Sequence, residues 1–190
     1  MIILVKCNYF ENLEKLSSLS LSAVTIACEE GNGRQDIKDI RKECDRLVCD
    51  TEDALFSDFL PPLERESIAA IAHCLSRVTD RSAELISEPS ATPYFMKANS
   101  EAAVCVRLAC ELHRGILMLK RIKKPSECPD LCGYRELLSE GRRAHRQMLC
   151  AVRSGTVPRR HAEAIILTGR LRSELSTAFD GLVEIMLNNI

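Results

Sequence analysis

The sequence predicts an all-α protein, and three observations carry that prediction. Apolar residues recur at the three- and four-residue spacing of a helix face throughout the chain, whereas strand-like alternation never lasts more than a few positions. Aromatic residues make up only 4% of the 190 residues, with no Trp. Helix breakers are sparse, at eight Gly and seven Pro. A chain of this length holds one ordinary domain or two small ones, and buries a real core either way.

Breakers cut the chain into six helical segments. The first runs from about Tyr9 to Glu30 and stops at the turn-forming "GNG", Gly31 to Gly33. The second spans about Asp36 to Phe59, with Ile37, Ile40, Cys44 and Leu47 inward, and stops at Pro61-Pro62. Leu63 to about Glu88 forms the third, with Ile68, Ile71, Leu75, Val78 and Leu85 on its apolar stripe, closed by "EPSATP". The fourth covers Asn99 to about Lys123, with Val104, Leu108, Leu112, Ile116 and Leu119 on one face. Pro129 to Arg153 gives the fifth, ended by "SGTVP". Pro158 opens the sixth, where its missing N–H costs nothing, and that helix continues to about Leu187. Helices one to three repeat the layout of helices four to six, with Pro62 and Pro158 at equivalent starts. The expected architecture is therefore two three-helix bundles packed as one domain, with halves at about 1–96 and 97–190.

The charge is uneven although the net is only −1. Residues 1–96 carry 10 Lys/Arg against 17 Asp/Glu, a balance of −7, and residues 97–190 carry 16 against 10, a balance of +6. Such halves attract within a chain or between chains, so a homo-oligomer is one expectation. The ten Cys do not read as a disulfide framework. The apolar run before Lys6 is too short for an export signal, so the thiols are expected to be reduced. No C-x-x-C occurs, and Cys128-Pro-Asp-Leu-Cys132 supplies only two of the four ligands a zinc site needs.

Familiar catalytic patterns are missing. Glu111 and His113 stand two apart, on different helix faces, so no Glu-x-x-His di-iron pair forms. His73, beside Cys74, reads as a packed or boundary histidine. "EEGNGRQD" lacks the Gly-Lys-Ser/Thr ending of a phosphate loop. What remains is cationic: "KRIKK" at Lys120 to Lys124, Arg142-Arg143-x-x-Arg146, and Arg159-Arg160-His161. Arg159 and Arg160 follow Pro158 at a helix start, against the dipole, and face an acidic partner, a phosphate group or the anionic inner membrane surface on this reading. Arg142 and Arg143 are candidates for the same role. Without interleaved aromatics, no nucleic-acid partner is expected.

"FLPPLERESIAAIAHCLSRVTD", from Phe59, resembles the Phe-x-x-Pro-x-(Asp/Glu)-Arg-Glu-x-Ile stretch of the PhoU-like phosphate transport regulators, in their short Pit-accessory branch. "KECDRLVCDTEDAL" resembles that family's Glu-Ala-Asp helix, and "NYFENLEKL" its aromatic, acidic opening helix. The resemblance implies a cytoplasmic, non-enzymatic helical regulator. Its implied partner is a phosphate transporter or signalling protein at the inner membrane face. It further implies (Glu/Asp)-x-x-x-Asp pairs whose carboxylates converge on metal ions.

Here those pairs read Arg41-x-x-x-Asp45, Ser76-x-x-x-Asp80, Gly141-x-x-x-His145 and Arg172-x-x-x-Ser176. Only Asp45 and Asp80 keep the carboxylate, and a lone carboxylate holds a hard cation poorly. Arg41, four residues before Asp45, is placed to pair with it. The expectation is a degenerate metal site, vacant, with no cofactor. The second reading is a metal-binding protein, with iron or zinc at that carboxylate site, or a thiol-based redox-responsive one.

Overall fold

The computed structural model describes residues 9–30, 34–57, 64–119 and 131–188, and among them every regular element is helical. Helix α1 is Tyr9–Thr25, continued by a wider turn over Ile26–Glu30; α2 is Arg34–Ser57 and α3 is Arg65–Ser87. A short α4, Pro93–Ala98, precedes α5, Ser100–Met118. Helix α6 is Leu131–Arg153, and α7 is Ala162–Asn188 after a tight turn over Arg159–His161. The predicted breakers at Gly31–Gly33 and Pro61-Pro62, and the basic run Lys120–Lys124, lie outside the described residues.

The six expected helices are present, and α4 is an addition. "EPSATP" reads as a gap, but Thr92 caps a new helix by accepting a hydrogen bond from the Phe95 N–H, with Pro93 in the first turn. Asn99 then caps α5 in the same way, through Glu101 N–H. At the far end of α6, Gly155 takes a φ of 79°, the left-handed turn that glycine adopts without a Cβ penalty. Pro158 opens the tight turn rather than α7 itself.

The predicted stripes face inward. Ile68, Ile71, Leu75, Val78 and Leu85 of α3 are all buried, as are Val104, Leu108, Leu112 and Ile116 of α5. Helices α1, α3, α5 and α7 pack in a closed ring, α1 on α3, α3 on α7, α7 on α5 and α5 on α1. One continuous apolar core joins both halves through Leu16, Leu75, Leu108, Leu112, Leu171 and Leu175. Ser20 lets α1 lie close against α3: its Oγ is 2.9 Å from the Leu75 carbonyl and 2.8 Å from that of Leu16. Outside the ring, α2 leans mainly on α3, whereas α6 leans mainly on α5. That leaves one groove between α2 and α3 and an equivalent one between α6 and α7.

Candidate functional site

The α2–α3 groove holds Asp80. Its walls are Arg41, Arg77, Arg81, Ala83, Glu84 and Ser87 around a cavity of about 510 Å³. Arg41 does not pair with Asp45. Its Nε and Nη2 reach Oδ1 of Asp80 across the groove, at 2.8 and 2.7 Å. Asp45 is exposed and without an ion pair among the described residues. Arg41 prefers Asp80 because Arg-then-Asp is the weaker order along one helix and Asp80 accepts two N–H groups of the fork. The other cations are matched as well. Arg77 meets Glu174 at 3.2 Å and Arg81 meets Glu84 at 2.7 Å. Three arginines against Asp80, Glu84 and Glu174 leave this groove neutral. A guanidinium on Asp80 does not fit a divalent cation there, and the described residues bring no three His, Cys, Asp or Glu into a metal-binding group.

The α6–α7 groove is built on a buried acid. Glu101, in the first turn of α5, has no exposed surface. Arg172 of α7 donates from Nε to its Oε1 at 2.8 Å, and His145 of α6 meets its Oε2 through Nδ1 at 2.8 Å. A carboxylate accepts, so Nδ1 carries the proton in this contact. Two glycines make the room. A Cβ on Gly141 would stand 2.6 Å from Cδ of Arg172, and one on Gly169 would stand 2.6 Å from Cε1 of His145. Arg172 and His145, with Ser139, Arg142 and Arg146, line an open cavity of about 480 Å³. Helical spacing already singles out His145 and Arg172, in Gly141-x-x-x-His145 and Arg172-x-x-x-Ser176, but nothing in it singles out Glu101. An acid in a first helical turn looks like a solvated partner of the helix dipole. The usable signal is the pair of glycines inside helices, each costly unless something packs against it.

The remaining candidates separate. Arg142, Arg143, Arg159 and Arg160 are exposed; Arg142 lines the α6–α7 groove and Arg143 does not. His161 turns inward from its basic cluster, stacked on Phe95, with Nδ1 2.7 Å from the Ser90 carbonyl. His73 pairs with Glu52 across α2 and α3 at 2.8 Å. Among the described residues, a nucleophile and base come together at Ser17 Oγ, 2.8 Å from Nδ1 of His113. Ser17 is buried, however, and donates to the Glu14 carbonyl, so no substrate reaches it. Burial pushes the Cys44 thiol up to about 11 and raises those of Cys74 and Cys110. A hydrogen bond with Cys28, then burial, holds Cys105 well above its ordinary value. Thiols held protonated are weak nucleophiles, which disfavours redox work at these four.

No protein-family model matches the sequence, and no curated protein matches it. Solved structures do. A PhoU-like protein from Shewanella oneidensis MR-1 superposes with a TM-score of 0.68 at 15% identity, covering 96% of this chain and 97% of its own. The chain has the PhoU-like fold. A second protein of that organism, described as a PhoU-like phosphate regulatory protein, superposes at 0.66 with 14% identity over 96% of both chains. At such identities the PhoU-like fold is what the match carries. Among the described residues no helix is long and apolar enough to cross a membrane.

Proposed function

We propose that the chain is a non-enzymatic regulator or accessory protein of inorganic phosphate transport, of the Pit-accessory type. It acts through protein contacts in the cytoplasm, at the inner face of the membrane, on a phosphate transporter or its signalling partner. The observation that supports this reading is the end-to-end match to PhoU-like structures, one of them described as phosphate regulatory. Arg41 on Asp80 and Arg172 on Glu101 supply the charge neutralisation that metals give the carboxylates of the resembled family. On this reading the carboxylate positions need neither iron nor zinc.

In-cell crosslinking followed by affinity isolation tests the partner, and deletion tests the role. The expected results are recovery of a phosphate transporter or its signalling protein, and altered phosphate uptake in the deletion strain. Unchanged uptake together with no such crosslink refutes the reading.

A further inference from the structure

Three features invite a ligand: the neutral α2–α3 groove, an apolar hollow at Phe95 and His161, and the α6–α7 groove. The first has no charge left to offer. The second is lined by Pro89, Thr92, Tyr94 and Pro158 around the stacked rings, with nothing to show what covers it. The third has a charge excess and a built wall.

Arg142 and Arg146 stand four apart on one face of α6, where like charges repel. From residue 141 to the end of α6 the helix carries four Arg and no acid. Neither Arg142 nor Arg146 has an ion pair among the described residues, and both are exposed. Opposite them, Arg172 is fixed by Glu101 through Nε, its side chain only 14% exposed, and its other N–H groups have no partner among the described residues. The single acid beneath is fully covered, with both oxygens taken by Arg172 and His145. Three guanidinium groups against one carboxylate leave the groove at +2 before His145 is counted. The α2–α3 groove, equivalent in position and size, sums to zero.

We propose that the α6–α7 groove binds a tetrahedral dianionic oxyanion of the phosphate class, clamped by Arg142, Arg146 and Arg172, with Ser139 as a further donor. Guanidinium forks match the edge of a phosphate group, and one preset by a buried carboxylate loses little freedom on binding. The anion also removes the repulsion along α6. The phosphate group is free inorganic phosphate or a lipid headgroup, which present the same oxygens. This goes beyond the transporter reading, because it concerns a ligand of the purified chain and holds or fails without any partner.

The test is calorimetric titration of the full chain with inorganic phosphate, against chloride, with a parallel arm of vesicles containing phosphatidic acid. Phosphate is expected to bind one to one, more weakly as salt rises. Arg142→Gln and Arg146→Gln should each weaken binding about tenfold or more, with the ligand-free thermal midpoint not lowered and slightly raised as the repulsion along α6 is relieved. Arg41→Gln, in the neutral groove, should leave it unaltered. Binding to the vesicles but not to free phosphate keeps the site and assigns its source to a headgroup. No binding in either arm, binding indifferent to Arg142 and Arg146, or equal binding of chloride overturns the proposal.

Discussion

Arg172 Nε lies 2.8 Å from Oε1 of Glu101, a carboxylate without exposed surface. Charges taken out of water demand pairing, and here one acid on α5 ties α6 and α7 together through His145 and Arg172. The contact makes Glu101 a structural pivot on which the cationic groove rests.

Removing one partner should therefore be costly. Arg172→Met leaves Glu101 buried with only His145, and an orphaned buried charge of this kind costs about 3–5 kcal/mol. The double variant Arg172→Met with Glu101→Leu should recover most of the loss, because apolar replacement of both partners is often neutral or better. Chemical denaturation of the two variants decides it. Equal stability of the single and double variants would mean that the pair contributes only packing.

The glycines give a test that opposes helix propensity. Ala is favoured over Gly inside a helix by about 1 kcal/mol, so Gly141→Ala and Gly169→Ala should stabilise if nothing lies against them. The Cβ of each would instead press on Arg172 or on the His145 ring, at 2.6 Å. Overpacking a locked pair costs about 1–3 kcal/mol, so a net destabilisation of up to about 2 kcal/mol is expected once the helix gain is subtracted. Stabilisation of either variant would show that the side chains can retreat without leaving Glu101.

Much of the fold was legible in the sequence because core burial imposes periodicity. The stripe of α3 needed no partner to be read, and Leu75 proves fully buried. Leu75→Ala should cost about 2–5 kcal/mol, measurable by thermal or urea unfolding. Helix α4 was hidden because six residues are too few to show a period, and the Thr-Pro start also reads as a gap. The two grooves were half legible. Spacing along one helix suggests Arg41 with Asp45, but the bond that forms, Arg41 with Asp80, depends on how α2 lies against α3. Glu101 was invisible for the same reason. Which first-turn acid is buried is decided by two helices, through His145 and Arg172, 44 and 71 residues away in sequence.

His113 supplies a pH signature. Burial holds its imidazole below the ordinary value of 6.5, with Glu14 opposing weakly, while the unfolded chain titrates normally. Between the two values the unfolded state binds more protons, so stability rises with pH there. The contribution is complete above about pH 6.5 and is lost as the pH falls toward the folded value. His113→Gln should flatten the thermal midpoint over this interval relative to the parent. A variant that keeps the parent's full slope would place the titration elsewhere.

Metal dependence is tested at Asp80. An exposed pair such as Arg41–Asp80, with side chains 50% and 44% exposed, contributes only about 0.2–1 kcal/mol. Its importance is positional, because the guanidinium stands where a cation would approach the carboxylate. The protein as purified should contain no stoichiometric iron, zinc or manganese, and a chelator should leave its thermal midpoint unchanged. Arg41→Glu combined with Ser76→Asp removes that guanidinium and restores two (Glu/Asp)-x-x-x-Asp pairs, one ending at Asp45 and the other at Asp80. Ser76 is half-buried on the turn before Asp80, and Asp45 is exposed on α2. Hard cations bind once several oxygens replace their water, so the double variant should gain a midpoint increase with added divalent ion that the parent lacks. A parent protein that holds metal tightly and releases it on Asp80→Ala would mean that Arg41 does not exclude the cation.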